Sequence, residues 1–170
     1  SGAGLPEKAW PLFEKADTLQ HGIDLFQANM ATCAFFLGKL DDARQRYRSL
    51  LSRHPTHQRY HYQLAQLGKA TDSDHVNERK AVVERTKLPP DRNIFMYYAI
   101  GKELEDLEQW DEAFRYYKMA GDAVASVAKY DVESDIALID TFIRVCNENW
   151  LHDRASDDAG GKTPIFVVGL

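Results

Sequence analysis

Apolar residues recur every three to four positions through most of the chain, the spacing that lays a stripe along one side of an α-helix. Met30, Ala31 and Ala34 form one such stripe, Ala43, Tyr47 and Leu50 the next, and Tyr97, Ile100 and Leu104 precede Ala113, Tyr117 and Ala120. Turn residues break the stripes at Gly38, Pro55, Gly68 and Pro89-Pro90. The pattern predicts a succession of short amphipathic helices joined by tight turns. Asp41, Asp42 and Asp111 stand where helices should begin, placing carboxylates at the positive end of the helix dipole. Pro55 and Pro89 stand where helices should stop. Val132, Ile136, Ile139, Phe142, Ile143 and Cys146 continue the helical spacing and predict a further helix over about 130–150, placed to cap the array.

The stripes repeat. Residues 27–55 carry Met30-Ala31, Ala34, Gly38, Asp42-Ala43, Tyr47, Leu50 and Pro55. A shift of 34 brings His61, Leu64-Ala65, Gly68, Ala81 and Pro89 into register, with Asn77 in place of the small residue of the second helix. A further shift of 36 aligns Tyr97, Ile100-Gly101, Leu104, Ala113, Tyr117 and Ala120, the two extra residues falling near Pro89–Asn93. Shifted backward, the pattern reaches Ala9, Phe13 and Ala16. Small residues at Ala31, Ala65, Gly101, Ala43 and Ala113 let paired helices approach, and large ones fill the gaps. A period in this range marks units that bury their apolar faces only against neighbours.

These residues resemble the tetratricopeptide-repeat (TPR) pattern over residues 5–127. The resemblance implies an all-α fold, a TPR superhelix of antiparallel helix pairs. It divides the chain into a partial leading unit (1–23), TPR 1 (24–57), a degenerate TPR 2 (58–93), TPR 3 (94–127), the capping helix (128–152), and a linker with a short C-terminal orphan strand (153–170). The last part rests on the polar stretch DRASDDAGGKTP followed by Ile165-Phe166-Val167-Val168-Gly169-Leu170, an apolar β-branched run suited to a buried parallel strand.

Residues 85–170, and TPIFVVGL most specifically, resemble bacterial TPR-containing sulfotransferases. In that family a TPR array precedes a domain that opens with such a strand and continues into the loop for 3′-phosphoadenosine 5′-phosphosulfate. The loop would begin at Gly169-Leu170, so the resemblance assigns this chain no catalytic residue and no cofactor contact of its own. It implies a non-catalytic, protein-binding array in front of a sulfuryl-transfer domain, in a cytoplasmic protein. A free-edged strand would also offer a route to self-association.

Composition narrows the function further. Acidic residues outnumber basic ones 26 to 21, against the basic excess of a nucleic-acid binder, and no apolar run has the length of a membrane span. Cys33 and Cys146 both fall in apolar helical stripes and read as buried free thiols. His54, His57 and His61 surround a proline turn and read as surface or packing residues rather than metal ligands. Asp72-Ser73-Asp74-His75 lacks the Gly and distal Glu of a calcium loop and reads as a turn leading into a helix. Gly161-Lys162-Thr163 lacks the Gly that a Walker loop needs five residues earlier, where Ser156 stands. Glu103, Glu105, Asp106, Glu108, Asp111 and Glu112 read as a solvated acidic face.

In a TPR array the first helix of each pair lines the concave surface. The candidate ligand contacts are therefore Asn29, Thr32 and Phe36, then Tyr62, Gln63 and Gln66, then Tyr98 and Lys102, with Ala28, Lys69, Ala99 and Asp106 beside them. Amides and aromatic rings in such a groove suit the backbone and side chains of a protein or peptide segment. A clamp for a terminal carboxylate is not built here, because Phe95 and Ala99 occupy positions where Lys and Arg would be required. The competing reading is a structural spacer or dimerisation array.

Overall fold

The computed structural model describes residues 5–150, and every regular element among them is helical. The chain divides into two compact units, 1–128 and 129–170. The expected linker and strand of residues 153–170 lie outside the described residues.

The first unit contains α1 (Leu5–Leu19), α2 (Asp24–Phe36), α3 (Leu40–Arg53), α4 (Gln58–Ala65), α5 (Asp74–Thr86), α6 (Ile94–Asp106) and α7 (Trp110–Val127). Each helix packs on its chain neighbour or next neighbour, in the order α1 on α2, α2 on α3, α3 on α4, α4 on α6, and α6 on α7. Such local stacking is the hallmark of a repeat array.

Two pairs are closely alike. α2 and α3 are joined by Leu37–Lys39, and α6 and α7 by Leu107–Gln109. Gly38 takes φ +74° at the first turn, where glycine carries no Cβ penalty, and Glu108 takes φ +60° at the second. Asp41 and Asp42 lie in the first turn of α3, Asp111 and Glu112 in that of α7. Ala31, Ala34, Ala43, Tyr47 and Leu50 form one buried cluster, with Trp10 of α1 packed against it. Met96, Ile100, Leu104 and Ala113 join Val76 and Val82 in a second. Gly101 is small for a reason, since a Cβ there would stand 3.0 Å from the Tyr117 ring.

The middle pair departs from this plan. α4 is 8 residues long against 13 for α2 and α6, and residues 66–73 cross to α5 without regular structure. The buried face of α5 is not the one that the repeat spacing predicts. Asn77 and Ala81, the positions that the 34-residue shift assigns to the interior, are exposed, while Val76, Arg79 and Val82 are buried. The register of this helix is thus one residue away from the expected one. A 3-10 turn, Pro90–Arg92, absorbs residues before α6, and Asn93 there is buried, its side chain donating to the Leu88 carbonyl and accepting from Gln58.

The second unit holds α8 (Val132–Val145), capped by Asp131, whose carboxylate accepts from the Glu133 amide. Its apolar residues stay exposed. Cys33 is buried and Cys146 exposed, and both are free thiols, so the expectation of two buried thiols is corrected for Cys146. Cys146 directly follows the end of α8, a helix that buries none of its residues.

Candidate functional site

Of the predicted groove residues, Asn29, Thr32 and Phe36 lie on α2, Tyr62 and Gln63 on α4 with Gln66 just after it, and Tyr98 and Lys102 on α6. Asn29, Gln63 and Gln66 are half-buried. Phe36 is 67% exposed, unusual for a phenylalanine on a helix, and it stands edge-on to Phe35. Tyr62 of α4 packs on Phe95 of α6 at 5.6 Å between ring centroids, and Tyr98 of α6 packs on Tyr117 of α7 at 6.3 Å. Arg59 lies over the Phe95 ring. Each of these ring pairs thus links two neighbouring helices, α4 to α6 and α6 to α7.

Four of the residues named for the groove are used differently. Thr32 shares a 2.9 Å hydrogen bond with the Tyr47 hydroxyl and donates to the Ala28 carbonyl, so its hydroxyl serves the α2–α3 interface. Lys102 donates to the Asp106 carboxylate and to the Gly68 carbonyl, while Asp106 accepts from the Ala70 amide. Together they hold the 66–73 crossing against α6. Ala99 is fully buried and presents no surface. Tyr117 donates to Glu105, and burial together with that carboxylate pushes its phenol up from the usual value, so it remains a neutral donor.

The polar centre of the molecule lies elsewhere. Arg79 is 1% exposed and Glu103 4% exposed, and they form a buried ion pair between α5 and α6. Arg79 also donates to the His61 carbonyl, while its Nε is buried without an acceptor among the described residues. His75 sits 3.6 Å from the same carboxylate, which raises the imidazole's affinity for a proton. His61 is 2% exposed and bonded to the Pro55 carbonyl, and burial lowers its proton affinity. Glu103 is thus no part of a solvated acidic face. Sequence spacing missed this pair because a buried arginine and glutamate carry the same letters as surface ones. The available sign was that Arg79 lies three residues from both Val76 and Val82.

The three histidines near Pro55 go separate ways. His54 pairs with Asp24, His57 stacks on Tyr60 at 3.6 Å, and His61 turns inward. Asp72 accepts from the Asp74 amide and leads into α5, as the turn reading expects.

No family model matches the sequence, and neither does any curated protein sequence. Among solved structures, a crystal structure of MamA is similar over 75% of this chain and 73% of its own length, with a TM-score of 0.55 and 19% identity. A second MamA crystal structure is similar over 75% of this chain and 69% of its own, with a TM-score of 0.53 and 19% identity. At that identity the likeness establishes the fold, which is a TPR-like array of antiparallel helix pairs.

Proposed function

We propose that this chain is a protein-binding scaffold whose α2–α4–α6 face holds an extended segment of a partner protein. The observation that carries the reading is the two aromatic pairs Tyr62–Phe95 and Tyr98–Tyr117, with Phe36 exposed at the end of α2 and Asn29, Gln63 and Gln66 half-buried. Rings of this kind offer apolar contact at low entropic cost, and amides supply both a donor and an acceptor to a peptide backbone. Lys102 is occupied by Asp106 and the Gly68 carbonyl, which favours a segment read by side-chain packing rather than by its terminal charge.

The reading is tested by selecting peptides from a display library on the purified chain and mapping the best of them by amide chemical shifts. Shifts concentrated in residues 29–36, 62–66 and 95–102 are expected. Shifts confined to α5 or α8 contradict it.

A second reading is supported by the resemblance of residues 85–170 to TPR-containing sulfotransferases. In it the array is the amino-terminal, cytoplasmic part of an enzyme that uses 3′-phosphoadenosine 5′-phosphosulfate, presents the acceptor to a domain that follows, and has Ile165–Val168 as that domain's first strand. Calorimetry with the sulfate donor on a protein extended beyond Leu170, run beside the present chain, separates the cases. Binding by the longer protein alone supports the enzyme. Binding by neither leaves the stand-alone scaffold.

A further inference from the structure

Helix α8 carries a broad apolar face and buries none of its residues. Ile136, Leu138, Ile139, Phe142 and Ile143 are 46–69% exposed. At about 3.6 residues per turn these five, with Val132 and Val145, spread over roughly half of the helix circumference. That is wider than the ~100° stripe of an ordinary surface helix. A helix of 14 residues is marginal in water by itself, so a face of this width is one that gains by being covered.

Charge says what covers it. Residues 131–145 hold Asp131, Glu133, Asp135 and Asp140 against one cation, Arg144. Asp131 caps the helix, and Glu133 and Asp135 stand in its first turn, where the dipole favours a carboxylate. Asp140 lies mid-helix and has no such reason. By helical spacing Asp135 falls inside the apolar arc, between Ile139 and Phe142, and Asp140 at its border, beside Ile136. Asp135 accepts a 2.7 Å hydrogen bond from the Tyr130 hydroxyl, and neither carboxylate has a cation beside it among the described residues. A covering surface therefore buries one carboxylate and crowds another, which is costly unless that surface brings cations of its own. A second copy of the chain would bring the same acidic groups to a two-fold interface, and an anionic lipid surface would repel them as well.

We propose that α8 docks an amphipathic helix of a partner protein, one whose apolar stripe is edged with Lys or Arg, so that its cations meet Asp135 and Asp140. The isoleucines supply the contact area, and the two aspartates choose the partner. The contact uses no residue of α2, α4 or α6, so it and the scaffold reading can fail independently.

The test offers the chain two synthetic helical peptides of three heptads with the same Leu stripe, one edged with Lys and one with Glu, and reads binding by fluorescence anisotropy. The Lys peptide should bind at least about tenfold more tightly than the Glu peptide, and the gap should shrink as salt rises. Asp135→Asn/Asp140→Asn should close most of that gap. Ile139→Gln/Ile143→Gln, at exposed positions outside both buried clusters, should abolish binding and leave Tm unchanged. Four results overturn the proposal. Neither peptide binds, whether or not phosphatidylserine vesicles do. The Glu peptide binds as well as the Lys peptide. The isoleucine variant binds as the parent does. That variant lowers Tm by several degrees or dissociates a dimer seen by sedimentation, which would assign the face to the chain itself or to a second copy.

Discussion

α6 and α7 pack directly on one another as a pair, whereas α4 and α5, the two helices before them, each pack on α6. In α6–α7 the helices meet through Gly101 against Tyr117 and through Met96, Ile100, Leu104 and Ala113, with a three-residue turn between them. Packing is apolar and local. In α4–α5 the first helix is short, eight residues cross to the second, and His61 and Arg79 are buried, Arg79 pairing with Glu103 of α6. A buried ion pair contributes little net stability, since desolvation offsets most of the attraction. The middle pair is therefore the place where the array gives up cohesion for polar character. It leans on its neighbours for stability, because Val76 and Val82 are buried in the same cluster as the core of α6.

The comparison can be broken most forcefully at Glu103. Glu103→Leu strands the Arg79 guanidinium in the interior and should cost about 3–5 kcal/mol. The double variant Arg79→Met/Glu103→Leu removes both charges and should recover most of that loss or exceed the original stability. Urea unfolding of the single and double variants reads both outcomes. A single variant within 1 kcal/mol of the parent (about a fivefold change in the folding constant) would show that the pair is not sealed from water.

Gly101 tests the apolar pair. Gly101→Val drives two methyl groups into the Tyr117 ring and should cost about 1–3 kcal/mol by the same measurement. Asn77→Ala, on the exposed side of α5, should change stability by less than about 0.5 kcal/mol. If Asn77 proved the more sensitive of the two, the corrected register of α5 would be wrong.

A finer distinction lies in the histidines. The Glu103 carboxylate raises the His75 proton affinity above the ordinary value of 6.5, and burial lowers that of His61 below it. The charged form of His75 is favoured in the fold, so its contribution is full below 6.5 and fades as pH rises through its folded value. His61 is favoured neutral, so it costs nothing well above 6.5 and destabilises the fold as pH falls below it. Imidazole proton shifts recorded across pH should show His75 titrating above free histidine and His61 below. The reverse order would mean that His61 is solvated.

The outer pairs were readable from the chain because their signals are local. Ala31, Ala43, Gly101 and Ala113 mark close approach, and Tyr47 with Leu50 marks the filled gap, each at fixed spacing within one helix. What could not be read depended on partners distant in sequence. Arg79 is buried only because α6 supplies Glu103, and Thr32 is occupied only because α3 supplies Tyr47. The α5 register slipped because residues 66–73 abandon the helix, and no proline stands among them to announce it. The candidate face was legible in part, since the helices bearing it were placed correctly while the bonds that occupy Lys102 were not.

The most direct test of the scaffold reading is the affinity of a library-selected peptide for the parent chain and for Tyr62→Ala/Tyr98→Ala, measured by fluorescence anisotropy with Asn77→Ala as the control. Both tyrosines are half-buried at the face and outside the buried clusters, so the double variant should stay folded. The account predicts a loss of at least about tenfold for the double variant, the magnitude expected of an aromatic contact residue, and an unchanged control. Equal affinity across all three would contradict it and leave the array as a spacer.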